Sequence, residues 1–104
     1  MVKYNVKITK KAQIDLSDRI GYLKDVKKST QAAKAVLEDY RQTRKILEDL
    51  AGAIAEPIDE ELKKRGLKRI NFRRHNYFML FKIMNEDVII VRIFHGLEDY
   101  TGKI

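Results

Sequence analysis

Apolar residues change from helical to strand-like spacing near Gly66, and this change constrains the fold more than any other feature of the chain. Before it, apolar side chains recur every three or four positions, which predicts two amphipathic helices, at about 9–26 and 30–51. The short turn between them makes a helical hairpin, whose apolar side must pack on another layer. A shorter helix is predicted at 57–65, where Pro57 suits the first turn and Gly66 ends it.

In the second half of the chain, apolar side chains alternate with a period of two, which is typical of strands. The pattern predicts strands at about 67–73, 77–84 and 88–95, joined by short turns into an antiparallel meander. An alternating segment at 3–8 predicts one more strand before the helices. The element order is therefore β-α-α-β-β-β. It predicts a single α+β domain over residues 1–104, with an antiparallel sheet and a helical hairpin packed on one face.

The composition narrows the classes of function. The formal net charge is +7 at pH 7, which favours nucleic acid or an acidic protein as the partner. There is no cysteine, so disulfides, thiolate metal ligands and a cysteine nucleophile are excluded. No apolar leader and no apolar span of about 20 residues is found, which predicts a cytoplasmic protein without a membrane segment. The two histidines are far apart and carboxylates are not clustered, so neither a metal nor a cofactor is predicted.

Basic residues are concentrated at 63–75, in KKRGLKRINFRRH, where no acid occurs. On a strand, Ile70 and Phe72 would face the core, while Arg69 and Arg73 would stand together on the open face. Like charges this close repel one another, so the segment is either a solvated surface or a surface that binds an anionic partner. We predict the binding surface, and we assign it to Lys64, Lys68, Arg69, Arg73 and His75.

A second group of polar residues lies in and after the last strand, where Arg92, His95 and Tyr100 occur within VIIVRIFHGLEDY. Strict alternation places His95 on one face of that strand and Arg92 on the other. Because both faces are apolar, the strand is predicted to be central, and Arg92 would project into a groove on the side away from the helices. The alternative is that Arg92 pairs with Glu98 or Asp99 and that Tyr100 is a packing aromatic.

These side chains supply the chemistry for cleaving RNA through its own 2′-hydroxyl. That reaction needs a group that accepts the hydroxyl proton, a group that protonates the leaving oxygen and a cation that stabilises the phosphorane. Histidine and tyrosine transfer protons, and arginine binds phosphate. The sequence therefore offers a candidate catalytic set made of His95, Tyr100, Arg92 and Arg74.

The order of elements, the segment LKKRGLKRINFRRHNYFMLFKI and the ending VIIVRIFHGLEDY resemble the RelE/ParE superfamily of toxins from bacterial type II toxin–antitoxin systems. The resemblance covers nearly the whole chain. It implies a compact toxin that is neutralised by a cognate antitoxin, whose acidic or amphipathic segment lies across the basic groove. RelE-like members cleave mRNA on the ribosome, whereas ParE-like members inhibit DNA gyrase and are not nucleases. The fold alone therefore does not distinguish between these two activities.

Ribosome-dependent mRNA cleavage is the leading prediction. The alternatives are gyrase inhibition and a non-catalytic module that binds nucleic acid or protein. Two positions differ from the RelE-like pattern: Phe78 follows Tyr77 where an arginine is usual, and Leu97 stands where another arginine is common. His95 sits where several ribosome-dependent members place a histidine, and Arg73, Arg74 and Arg92 could replace the missing cations.

Overall fold

The computed structural model describes residues 3–96, 98–100 and 102–104 of the chain. The helices and strands follow the predicted order β-α-α-β-β-β, with the predicted short helix before the second strand. Their bounds are β1 (Asn5–Ile8), α1 (Lys10–Asp25), α2 (Thr30–Leu50), α3 (Glu60–Lys64), β2 (Lys68–Asn71), β3 (Tyr77–Met84) and β4 (Asp87–His95), with one 3-10 turn at Ala51–Ala53. No helix in this described part of the chain is long and apolar enough to span a membrane.

Short polar side chains set the start of each helix. The Thr9 hydroxyl accepts the N–H of Ala12 at 3.2 Å, and the Ser29 hydroxyl accepts the N–H of Ala32 at 3.0 Å. The Asp59 carboxylate accepts two N–H groups in the first turn of α3. Each of these bonds satisfies a backbone donor that has no partner inside its helix.

The four strands form one mixed sheet in the order β1-β4-β3-β2. The predicted antiparallel meander is confirmed for β2, β3 and β4, but β1 pairs in parallel with β4, so the sheet is not antiparallel throughout. The path of the helices explains the difference. Helix α2 ends beside the start of β1, where the N–H of Tyr4 donates to the carbonyl of Glu48 at 2.8 Å. The meander therefore begins at the same end of the sheet as β1, and its third strand runs in the same direction as β1.

Each face of the sheet carries its own apolar cluster. Helices α1 and α2 cover one face, called here the hairpin face, where Val36, Tyr40 and Leu47 belong to the cluster that contains Met79 and Phe81. The opposite face, called here the α3 face, is covered by α3 and by C-terminal residues. Its cluster is formed by Leu62, Leu67, Phe78, Leu80 and Phe94, with Val91, Tyr100 and Ile104 packed against it. The helical hairpin therefore packs on one face, as predicted.

A β-bulge in β4 changes which residues face the helices. Leu80 of β3 lies opposite Arg92, whereas the next residue of β3 lies opposite Ile90, so Val91 is an extra residue on β4. Ile93 consequently joins Ile90 in the hairpin-face cluster, and Val91 packs on the α3 face. The prediction of a single alternation along this strand, which grouped Ile93 with Val91, is therefore wrong beyond the bulge.

Gly96 lies where the end of β4 passes the loop between β2 and β3. Its N–H donates to the carbonyl of Asn76 at 2.7 Å, and a methyl group on Gly96 would collide with the Asn76 side chain. We expect Gly96→Ala to lower the free energy of unfolding by about 1 kcal/mol, the usual cost of forcing a side chain, here the exposed Asn76, away from its preferred rotamer. Urea denaturation followed by circular dichroism measures this loss.

Gly21 supplies the matched control, because it lies in α1 and a methyl group there would meet no described atom within 4 Å. Gly21→Ala should raise the free energy of unfolding by up to about 1 kcal/mol through helix propensity. Asn76→Ala removes the obstructing side chain, so Gly96→Ala should cost less in that background. An equal cost in both backgrounds would exclude the proposed collision.

Candidate functional site

Three of the predicted site residues, Arg73, Arg74 and His75, lie in the loop of residues 72–76 between β2 and β3, called here the basic loop. The carboxylate of Asp39 on α2 holds this loop in place. It accepts the backbone N–H groups of Arg73 at 3.1 Å, Arg74 at 2.9 Å and His75 at 2.9 Å. The prediction that the strand continues to residue 73 is wrong, because β2 ends at Asn71 and the N–H groups of residues 73–75 bond to Asp39 instead of a neighbouring strand.

The side chain of Asp39 is fully buried, with 0% of its surface exposed, and it also contacts Nδ1 of His75 at 2.7 Å. Burial opposes its ionisation, but the hydrogen bonds from His75 and from the three backbone N–H groups outweigh burial and lower the pKa of Asp39. Sequence reasoning missed this residue. The available signal was its spacing, because Asp39 falls between Val36 and Tyr40 on the apolar side of α2, where an acid needs a partner.

The other predicted binding residues do not form one row. Lys68 donates to the carbonyl of Ile54 at 2.8 Å, next to the hairpin-face cluster. Arg69 extends over the α3 face, where its guanidinium carbon lies 3.8 Å from the centroid of the Phe78 ring. Lys64 is exposed at the end of α3. The bulge-free alternation along β2 thus separates Lys68 from Arg69, and both are separate from the basic loop.

Arg92 is held in a bidentate ion pair with Asp15 of α1. The distances are 2.8 Å from Nε to Oδ2 and 2.9 Å from Nη2 to Oδ1, and the same carboxylate accepts the N–H of Ile93 at 2.9 Å. The two side chains are only 18% and 16% exposed. Hydrogen bonding to Asp15 raises the pKa of Arg92 further above its ordinary value. The sequence predicted that Arg92 projects into a groove away from the helices, with Glu98 or Asp99 as the alternative partner. Its partner instead lies on α1, because local reasoning cannot detect an acid on a distant helix.

His95 ends β4 and lines a pocket of about 360 Å³ between α1 and the sheet, called here the α1 pocket. Its ring packs edge-on against Tyr77, with ring centroids 5.4 Å apart and an interplanar angle of 89°. Its backbone N–H donates to Glu98 at 3.2 Å. Carboxylates of Asp15, Asp18 and Glu98 also line the pocket.

Basic side chains around the α1 pocket are already engaged. Arg19 lies over two tyrosine rings, with its guanidinium carbon 5.3 and 5.6 Å from their centroids. Arg92 is paired with Asp15, and Lys103 donates to Glu98 at 3.0 Å. Burial opposes ionisation of Glu98, but hydrogen bonds from Lys103 and from the His95 backbone lower its pKa. The α1 pocket therefore has no excess of positive charge among its described residues with which to bind phosphate.

Tyr100 belongs to the α3 face, where its ring packs against Phe78 and Phe94 at centroid distances of 5.9 and 6.3 Å. Its hydroxyl donates a hydrogen bond to Asp59, and this bond is the main reason that the pKa of Tyr100 is raised to about 12. A phenol with a raised pKa transfers its proton less readily at neutral pH. Tyr100 instead shares a pocket of about 320 Å³ with Arg69 and Asp59.

The structure therefore does not bring the predicted catalytic set into one constellation. His95 lines the α1 pocket, Tyr100 lies on the α3 face, Arg92 is paired with Asp15, and Arg74 lies in the basic loop. Leu97 lies outside the described residues. Within the described ranges, no group of three or more histidine or acidic side chains could hold a metal ion. The roles assigned to these residues stay predictions.

We expect the phenol of Tyr100 to remain protonated at pH 11, because its pKa is raised to about 12 by its bond to Asp59. A raised pKa means that this bond stabilises the fold fully below pH 10, and that the contribution is lost as the pH rises through 12. Absorbance titration near 295 nm should show a late step that is missing in Tyr100→Phe. Asp59→Asn should move that step to lower pH, and an unchanged step would contradict the assignment.

Comparison with solved structures identifies the class of protein that has this fold. One chain from a structure titled "Chromosomal ParDE TA system from P. aeruginosa" is similar in fold, with a TM-score of 0.71 and 21% identity, covering 89% of this chain and 96% of that one. A chain from the toxin–antitoxin complex RelBE2 of Mycobacterium tuberculosis has a TM-score of 0.58 and 25% identity, covering 90% of this chain and 99% of that one. These similarities show that the chain shares its fold with chains from two toxin–antitoxin structures.

A sequence-family model resolves the class further. The model described as "ParE toxin of type II toxin-antitoxin system, parDE" matches residues 6–100. The chain belongs to this ParE toxin family, within the RelE/ParE superfamily, and is the toxin of a type II toxin–antitoxin system. No curated protein sequence matches it.

Proposed function

We propose that this toxin acts by binding a protein, DNA gyrase, without cleaving RNA, and that a cognate antitoxin neutralises it. The observation that carries the proposal is the separation of the candidate catalytic side chains. A metal-free ribonuclease needs its proton acceptor, proton donor and cation within hydrogen-bond reach of one phosphate. Here His95 lines the α1 pocket and Tyr100 lies on the opposite face of the sheet.

The contacts of each candidate residue support the same conclusion. The Nε and Nη2 groups of Arg92 bind both oxygens of Asp15, and Nη1 donates to the carbonyl of Lys103, so phosphate would have to displace a partly buried carboxylate. The Tyr100 hydroxyl donates to Asp59, and its pKa of about 12 is poorly matched to proton transfer at pH 7. Binding to a protein surface makes no such demand on these groups.

The proposed antitoxin contact rests on the charge of the chain. Arg73 and Arg74 are exposed on the basic loop in a protein with a net charge of +7. An antitoxin segment rich in carboxylates would complement this surface. Gyrase and the ribosome are both cytoplasmic, so the cytoplasm is where we propose that the toxin acts.

A supercoiling assay with purified DNA gyrase, relaxed plasmid and ATP tests the proposal. We expect the toxin to stop supercoiling and cleaved plasmid to accumulate. In a cell-free translation reaction, mRNA mapped by primer extension should remain uncut. His95→Ala should inhibit gyrase as the parent chain does, because the proposal gives His95 no proton-transfer role. Cuts within translated codons, together with unimpaired supercoiling, would overturn gyrase inhibition.

Ribosome-dependent mRNA cleavage, the leading prediction from the sequence, remains a second candidate because of one observation. Arg69 lies over the ring of Phe78, the residue that replaces the usual arginine of RelE-like toxins, and it shares a pocket with Tyr100. A cation is therefore present near that position on the α3 face.

If mRNA is cut, Arg69→Gln should abolish cutting and His95→Ala should not. A chain that is harmless when overexpressed without an antitoxin would instead favour the non-catalytic binding module.

A further inference from the structure

Three consecutive backbone N–H groups in the basic loop converge on one carboxylate. The donors belong to Arg73, Arg74 and His75, and the two oxygens of Asp39 accept them at 2.9 to 3.1 Å. Successive amides in a turn commonly form a concave site for an anion such as phosphate. In this chain the carboxylate of Asp39, a fully buried side chain of α2, takes the place of a bound anion.

The internal carboxylate restricts what the basic loop can bind. With the amides of residues 73–75 occupied, the cations that the loop presents to a partner are the exposed side chains of Arg73 and Arg74. Guanidinium groups bind carboxylates and phosphates alike in a planar, bidentate geometry, but phosphate sites at loops usually add free backbone amides, which residues 73–75 do not offer here. The arrangement therefore favours carboxylates of a protein over the phosphates of a nucleic acid.

Asp39 also makes the close approach of these charges tolerable. Arg73 and Arg74 are adjacent, and their positive charges would otherwise repel one another. A buried negative charge beneath the loop offsets that repulsion and fixes the backbone. A loop held in its binding conformation loses less conformational entropy when a partner binds.

We propose that Asp39 is a positioning residue, which shapes the basic loop so that Arg73 and Arg74 bind the carboxylates of an acidic peptide segment. The inference rests on the proposed function in one respect, since an antitoxin would supply that segment. Asp39 itself does not touch the partner. Its effect is to set the direction in which the side chains of Arg73 and Arg74 project from the loop.

Fluorescence anisotropy with a labelled peptide of about ten glutamates, at low salt, tests the proposal. Replacing Arg73 and Arg74 together by glutamine should weaken binding by about tenfold or more. Asp39→Asn should weaken it by about threefold to tenfold, although it removes a negative charge. Charge alone predicts the opposite sign, because a more positive protein should bind a polyanion more tightly.

Glu38→Gln is the matched control, since Glu38 is the neighbouring acid, exposed and in contact only with Arg41 among the ion pairs of the described residues. It removes the same charge without touching the basic loop, so binding should stay equal or become slightly tighter. His75→Gln removes one side-chain contact to Asp39 and should weaken peptide binding by less than Asp39→Asn does. This milder variant keeps the test decisive if Asp39→Asn does not fold.

Two results would overturn the proposal. One is equal or tighter peptide binding by folded Asp39→Asn or, if that variant does not fold, by His75→Gln. The other is that Asp39→Asn weakens the binding of a ten-nucleotide thymidine oligonucleotide as much as it weakens the binding of the peptide. That result would remove the preference for carboxylates. Peptide binding is measured without gyrase, so a wild-type toxin that fails to inhibit gyrase would contradict the proposed function and leave this inference standing.

Discussion

Asp39→Ala is expected to lower the free energy of unfolding by about 3 kcal/mol, because it removes the acceptor of four hydrogen bonds at a fully buried position. The three loop N–H groups then have only water as an acceptor, and the basic loop loses its hydrogen bonds to α2. Glu38→Ala is the control. Its side chain is 57% exposed in a surface pair with Arg41, so the change should stay within about 0.5 kcal/mol. Equal losses for the two variants would exclude a special role for Asp39.

The pH dependence of stability gives the same prediction an independent check. The pKa of folded Asp39 lies below its ordinary value of 3.8. A carboxylate with a lowered folded pKa contributes stability that is fully present above the unfolded pKa and is lost as the pH falls through the folded value. The free energy of unfolding should therefore fall below about pH 4 more steeply for the wild type than for Asp39→Asn. Parallel curves would contradict the lowered pKa.

Asp15→Ala is expected to cost about 2–4 kcal/mol, because Arg92 and the N–H of Ile93 both lose their acceptor at a site less than one-fifth exposed. Arg92→Ala combined with Asp15→Ala should cost less than the sum of the two single changes. A double-mutant cycle from denaturation curves gives the coupling, which we expect to be about 2 kcal/mol.

Asp18→Ala controls for the loss of an acid from α1, since Asp18 is exposed on the same helix. It should change stability by no more than about 0.5 kcal/mol. A coupling near zero between Asp15 and Arg92 would mean that water replaces the ion pair at little cost.

The helices and strands were predictable because each has a regular apolar period and most have a recognisable first or last residue. Thr9 and Ser29 have the short hydroxyl side chains that are common at helix starts, and the turn between β3 and β4 lies where the alternation is interrupted. These signals are local. They depend on the backbone and on the spacing of apolar side chains along one segment.

The site was less predictable because its contacts join segments that are far apart in the chain. Asp15 meets Arg92 and Asp39 meets the basic loop only after the helical hairpin has packed on the sheet. No glycine or proline marks the bulge at Val91 in the sequence, yet the bulge reverses the sheet faces on which the following residues lie. A charge count could therefore indicate an anionic partner, while the grouping of His95, Arg92 and Tyr100 could not be judged from alternation.

Strand β1 stops at Ile8, whereas its neighbour β4 continues to His95, so the last part of β4 is paired with β3 on one side and has no described strand on the β1 side. Helix α1 closes this gap with side chains. The Thr9 hydroxyl donates to the carbonyl of Val91 at 3.0 Å, and Asp15 accepts the N–H of Ile93. Backbone groups that would otherwise template a strand from another molecule are thereby occupied. The consequence concerns aggregation. Along this side of the sheet, the apolar strands are protected from pairing edge to edge with strands of other copies of the chain.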